Sequence, residues 1–244
     1  MLTRANLEQF TKQSQTKLEN VVREYCQHLF LSYLYQQPGS ERLLFKGGTA
    51  LRIIFHSPRY SEDLDFTAIK ITRHEVEELF VNTLANIEKT GIHVGFTEAK
   101  RTAGGYLGII EFNIYGKIVE VYFEVSLRNG RSIAGVRQFI ENDYIQPYTL
   151  VSLSKEILVQ GKLAALTARH KPRDFYDYFF LLSGNYPVVK EKGNLIRALK
   201  LLRESKINFR VELREFLPAS HLMHLRNFKK ILEQKILDFM GKKS

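Results

Sequence analysis

Residues 46–66 read KGGTALRIIFHSPRYSEDLDF. An apolar stub ends at Lys46, a Gly-Gly-Thr turn opens a helix that runs to about His56, and Ser57-Pro58 breaks it before a strand. Side chains alternate along a strand, so Ser61, Asp63 and Asp65 share one face while Leu64 and Phe66 take the other. Two carboxylates this close repel unless a cation sits between them. Hard oxygen ligands of this kind suit Mg²⁺ or Mn²⁺, and Mg²⁺ in particular keeps waters and takes phosphate oxygens as its remaining ligands. Gly47, Gly48 and Thr49 point the same way, because glycines let phosphate oxygens approach backbone N–H groups at a helix N-terminus. Thr49 also suits the plain task of capping that helix.

Working outward, residues 5–36 carry one helical periodicity, with Leu18, Val21, Val22, Tyr25, Leu29 and Leu34 at three- and four-residue steps, stopped by Pro38-Gly39. A helix is expected from about Thr72 to Lys89. Three strand-like runs follow, GIHVGFTEAKR, YLGIIEFNIY and KIVEVYFEVSL, the last two joined at Gly116. From Ser152 the pattern turns helical, at SKEILVQGKLAALTARH, RDFYDYFFLLSG, KGNLIRALKLLRESK and HLRNFKKILEQKILDFM. The expected class is α+β: a mixed, antiparallel-leaning sheet flanked by helices over residues 1–150, and a helical bundle over 151–244.

The chain has 244 residues, 44% of them apolar, enough for one generous core or two modest ones. Its 36 Lys and Arg exceed its 26 Asp and Glu by 10, a surplus that favours nucleic acid or nucleotide partners, though it also fits a solubility device or an acidic protein partner. A single cysteine, Cys26, excludes an internal disulfide and a Cys-based zinc site, and reads as core. No secretory signal pattern opens the chain, and no apolar run nears the roughly 20 residues that span a bilayer. A soluble, cytoplasmic protein without membrane contact is expected.

Further candidates flank the acids. Along VEVYFEVSL, Glu120, Tyr122, Glu124 and Ser126 share a face, so Glu120 or Glu124 can supply a third carboxylate. Lys162 and Arg169 lie seven residues apart on one helical face and together can grip phosphate oxygens. Pro172 suits the first turn of a new helix, which places Asp174 near its N-terminus; Asp177, three residues on, shares that face. Arg59 and Ser61 stand just ahead of the acids, placed for phosphate. Lys100, Arg101, Arg128, Arg131 and Arg137 flank the sheet, while Phe228, Leu232, Ile236 and Phe239 repeat so as to pack the last helix with Arg226, Lys229, Lys230 and Lys235 outward.

Gly-Gly-Thr-Ala-Leu at 47–51, then Arg-Tyr-Ser-Glu-Asp-Leu-Asp-Phe at 59–66, resembles the AbiEii-type nucleotidyltransferase toxins of type IV toxin-antitoxin systems, in the polymerase-beta-like superfamily. The family pattern continues with a Lys-containing helix and an Arg-Asp-aromatic-Tyr-Asp segment, and GKLAALTARHKPRDFYDYFFLL at 161–182 follows in that order. The likeness covers roughly residues 40–185. It implies transfer of a nucleoside monophosphate from a nucleoside triphosphate with release of pyrophosphate. For several relatives the acceptor is the 3′ end of tRNA, in a toxin-antitoxin or phage-defence setting with a cognate antitoxin partner. It further implies that Asp63, Asp65 and a third carboxylate hold metal, with Glu124 preferred to Glu120 because the family places an acid near the end of that strand. Lys162 would grip the triphosphate with Arg169, and Asp174, ahead of Asp177, would orient Lys162 or the sugar. Residues 1–150 would then be the catalytic region, to which 151–244 lends Lys and Asp. Transfer to a small molecule or a protein hydroxyl is the alternative. A non-catalytic nucleic-acid-binding scaffold is a third reading, disfavoured because the acids, the glycines and Lys162 occur together.

Overall fold

The computed structural model describes residues 1–128 and 133–241; Arg131 lies outside them. The chain forms two compact units, Met1–His56 with Tyr60–Ser154, and Ser57–Arg59 with Lys155–Ser244.

In the first unit, α1 (Arg4–Gln13) and α2 (Leu18–Leu34) precede β1 (Leu43–Lys46), α3 (Gly47–Phe55), β2 (Asp63–Ala68) and α4 (Arg73–Glu88). Strands β3 (His93–Thr102), β4 (Gly105–Ile114), β5 (Lys117–Leu127), β6 (Val136–Ile140) and β7 (Tyr148–Ser152) complete it. The seven strands form one sheet in the order β3-β4-β5-β2-β1-β7-β6. Four of the six pairings are antiparallel, while β2–β5 and β1–β7 are parallel. The α+β class and the antiparallel lean follow the sequence reading.

The even face of β2 is sealed by aromatics. Phe66 packs against Phe45 of β1 at 5.4 Å and Phe123 of β5 at 5.2 Å, and Phe123 meets Phe30 of α2 at 5.3 Å and Phe80 of α4 at 5.2 Å. All five rings are fully buried. Burying rings of this size contributes the large apolar areas that fix which side of a strand faces the core. Leu64 and Phe66 are therefore committed inward, and the odd face with Asp63 and Asp65 must point away from this core.

Two expectations change. The single helix over 5–36 breaks between α1 and α2, with Gln15 in the left-handed region at φ 49°. Ser14, Gln15, Thr16 and Lys17 offer nothing to bury, so no packing holds the helix through them. Strands β6 and β7 had no counterpart in the sequence reading. Each is five residues long, too short to display period-two alternation, and β7 is buried at Tyr148, Leu150, Val151 and Ser152.

The second unit is helical: α5 (Lys155–Arg169), α6 (Pro172–Ser183), α7 (Lys192–Glu204), α8 (Phe209–Leu213), α9 (Ala219–Leu225) and α10 (Phe228–Gly241). Pro172 opens α6, where its fixed φ and missing N–H cost nothing. Phe209 links Phe175 at 5.6 Å and Phe228 at 5.0 Å in the core of this unit. The lysines of α10 do not all face outward. Lys229 donates to the carbonyls of Arg203 at 3.0 Å and Ser205 at 2.7 Å, closing the end of α7, and Lys235 donates to Ser183 while lying over the Phe179 ring at 4.7 Å.

Candidate active site

The acids of the first unit stand in a register that spans three strands. Lys46 of β1 pairs with Asp65 of β2, and Asp65 pairs with Glu124 of β5, so the three occupy one row across the sheet. Asp63 stands one step along the same face, opposite Tyr122. Side chains of paired residues in adjacent strands project to the same side. Glu124 is thus the acid aligned with Asp65. Glu120 accepts a hydrogen bond from the Tyr122 hydroxyl at 3.1 Å, and its carbonyl accepts one from Arg23 at 3.2 Å.

Lys46 escaped the sequence reading, although its place directly ahead of the Gly pair was a usable signal. Burial lowers its pKa, and Arg128 adds to this, against the opposing pull of Asp65 and Glu124. Its ammonium donates a long hydrogen bond of 3.4 Å to Ser126, again on the exposed side of β5. The donor set of Asp63, Asp65 and Glu124 is hard oxygen on adjacent strands, the chemistry that Mg²⁺ and Mn²⁺ take. Among the described residues, no group of three or more His, Cys, Asp or Glu side chains is drawn together closely enough to hold a metal ion.

Gly47 is required for two separate reasons. Its φ is +89°, in the region that only glycine enters without strain, and a Cβ there would lie 1.9 Å from Oδ2 of Asp65. The main chain of the turn is therefore packed directly on the carboxylate. Gly48 is buried in the first turn of α3. Thr49 is fully buried, and its hydroxyl donates to the carbonyl of Asp63. It makes no side-chain cap, and its hydroxyl ties the start of α3 to the start of β2. Arg52 of α3 in turn grips Glu24 of α2, at 2.6 and 3.2 Å, so the helix behind the turn is anchored at both ends. Ser61 is half-buried, and its carbonyl accepts from Gln27 at 2.9 Å. Gly47→Ala is expected to cost about 1–2 kcal/mol from the backbone alone and to lower activity by about ten-fold or more through displacement of Asp65. Thermal unfolding and a transfer assay on the same preparation would measure both, and an unchanged activity would detach the turn from the acids.

The second unit holds a separate ionic cluster. Arg59 makes two bonds to Asp177, Nε to Oδ1 at 2.8 Å and an Nη to Oδ2 at 3.0 Å, and Lys162 reaches the same Oδ2 at 2.9 Å. Burial alone would raise the pKa of Asp177, but Arg59 and then Lys162 outweigh it and hold the carboxyl down at about 2. Asp174 accepts from Arg169 at 2.6 Å and from the backbone N–H of Lys171 at 3.0 Å. These contacts give each of the candidate residues its partner in the folded chain. Arg59 is buried and bound to Asp177. Lys162 and Arg169 pair with different acids, Asp177 and Asp174. Asp177 is the acid paired with Lys162, at 2.9 Å.

Two solved structures share this architecture. The nucleotidyltransferase toxin MenT4 from Mycobacterium tuberculosis H37Rv is 19% identical, with a TM-score of 0.64 over 98% of this chain and 90% of that one. JHP933 from Helicobacter pylori is 18% identical, with a TM-score of 0.63 over 93% of this chain and 94% of that one. At such identities the likeness defines the fold. No curated protein matches the chain. The family described as nucleotidyl transferase AbiEii toxin, type IV TA system, matches residues 29–241, and the chain belongs to it: it is a nucleotidyltransferase of the AbiEii toxin family.

Proposed function

We propose that the protein transfers a nucleoside monophosphate from a nucleoside triphosphate to the 3′ end of tRNA, with a divalent cation, as the toxin of a toxin-antitoxin pair. The observation that carries this reading is the row Lys46–Asp65–Glu124, with Asp63 beside it and the Gly47 main chain against Asp65. Nucleotidyl transfer calls for positioning and charge neutralisation more than for covalent help. A bound Mg²⁺ or Mn²⁺ would neutralise phosphate charge and orient the reacting oxygens. Asp63, Asp65 and Glu124 would hold it. Gly47 and Gly48 would leave room for phosphate at the start of α3, and Lys46 would supply a positive charge next to the acids. Lys162, oriented by Asp177, and Arg169 are the proposed cations for the triphosphate, with Asp174, Arg59, Thr49 and Ser61 holding their neighbours in position. Among the described residues, no helix is long and apolar enough to cross a membrane. We assign the activity to the cytoplasm, where nucleotides, tRNA and an antitoxin partner meet, with phage defence as one setting.

Incubation with α-labelled ATP, GTP, CTP or UTP and total tRNA is expected to label RNA when Mg²⁺ is present and to stop when the metal is chelated. Mn²⁺ is expected to restore the label. Label appearing only on protein or on small metabolites would remove RNA as the acceptor, and transfer that persists in excess chelator would remove the metal.

A further inference from the structure

The charge of the chain is divided very unevenly. The second unit carries 20 Lys and Arg against 9 Asp and Glu, a net of +11, while the first carries 16 against 17, a net of −1. The whole positive surplus therefore belongs to the helical unit, and the candidate metal carboxylates belong to the other. A surplus spread evenly over a surface serves solubility, but one gathered on one side is the electrostatic footprint of a polyanion.

Within the second unit, one groove concentrates it. The segments 206–210 and 225–230 line a concavity in which Lys206, Arg210, Arg226 and Lys230 are all exposed. Among the described residues none of these four forms an ion pair. The acid at the rim, Glu233, is already neutralised by Arg203 at 2.7 Å. The floor is fixed, since Phe209 and Phe228 are buried against each other at 5.0 Å and Lys229 is pinned to two carbonyls of the α7 end. No ring is offered for a base to stack on, so the groove is suited to phosphate and not to base identity.

We propose that this groove, between the end of α7 and the start of α10, is a docking surface for the phosphate backbone of RNA. The proposal rests on the reading of an RNA acceptor and adds where that acceptor is held. Binding through it is independent of base sequence and sensitive to salt, since each neutralised phosphate releases counterions.

The test uses the full-length protein, fluorescent total tRNA as probe, and no nucleotide. The variant Lys206→Gln, Arg210→Gln, Arg226→Gln, Lys230→Gln is compared with a matched control, Lys192→Gln, Arg197→Gln, Lys200→Gln, Arg214→Gln. If the groove neutralises four phosphates, its variant has a log–log salt slope shallower by about 3, which is about 60-fold between about 50 and 200 mM salt, and binds about ten-fold or more weakly near 100 mM. The control is expected to stay within about two-fold of the parent, and triphosphate binding by calorimetry is expected to be unchanged in both variants. Equal losses in the two variants, or none in the groove variant, would overturn the groove and leave the RNA acceptor standing. A parent protein that binds no RNA, with label passing to a small molecule or protein, would overturn the acceptor reading and the groove together.

Discussion

Asp65→Asn is expected to lower nucleotide transfer by about 10³-fold or more, equivalent to about 4 kcal/mol of lost transition-state stabilisation, without unfolding the protein. Asn keeps the shape that fills the space against Gly47 and removes only the charge. The folded state should tolerate this. Asp65 has Glu124 level with it on one side and Asp63 one step along the same face, so removing a charge relieves repulsion, while Glu124 remains to balance Lys46. What is lost is a cation's ligand. Asp63→Asn is expected to behave alike. The third acid is settled by the pair Glu124→Gln and Glu120→Gln, since only Glu124 is in register with Asp65; the first should cost about 10²-fold and the second little. Kinetics should show the loss in kcat, and circular dichroism should be unchanged. Asp65→Asn retaining activity within about ten-fold of the parent would take the row of charged residues out of the chemistry.

How much of this could be read from residues alone follows the range of the interactions. The face carrying Asp63 and Asp65 was legible because it depends on period-two alternation within six residues, and Leu64 and Phe66 supply the opposing apolar face. The partner of Asp65 was not, because alternation along β5 leaves Glu120 and Glu124 equivalent, and only the register of β2 against β5 separates them. Lys46 was hidden for the same reason: a lysine at the end of an apolar stub looks solvated until Asp65 is found beside it across β1 and β2. Helical spacing predicted that Lys162 and Arg169 share a face, and they do sit on α5, yet spacing says nothing of which acid each meets. The 118-residue separation of Arg59 from Asp177 places that pair beyond any local pattern. The same limit applies to charge: the surplus of 10 was visible in the composition, but its confinement to one unit needs the division at Ser154.

Asp177→Ala is expected to destabilise the protein by about 3–5 kcal/mol, the cost of leaving buried charge uncompensated. The side chain of Asp177 is 2% exposed, and those of Arg59 and Lys162 are 4% and 12% exposed, so water cannot replace the lost carboxylate. Alanine removes the one carboxylate that both cations meet. Asp177→Asn retains part of the hydrogen bonding and should cost less. The triple variant Arg59→Met, Lys162→Met, Asp177→Leu should recover most of the stability, because apolar side chains of similar volume can replace a buried ionic group, and it should remain inactive through loss of Lys162. Acid titration gives an independent reading. The native carboxyl is held at about 2, below its ordinary 3.8, so the unfolded chain binds the proton first as pH falls. Its contribution is complete above about pH 5 and is lost as pH drops through about 4 to 2. Glu75 is also held down at about 2, chiefly by bonds from the Thr72 backbone and side chain, so the comparison must be the difference between parent and Asp177→Asn across that window. The parent should lose more stability there than the variant. Parallel acid curves, or an Asp177→Ala protein within about 1 kcal/mol of the parent by denaturant unfolding, would mean that Arg59 and Lys162 find other anions and that Asp177 orients neither.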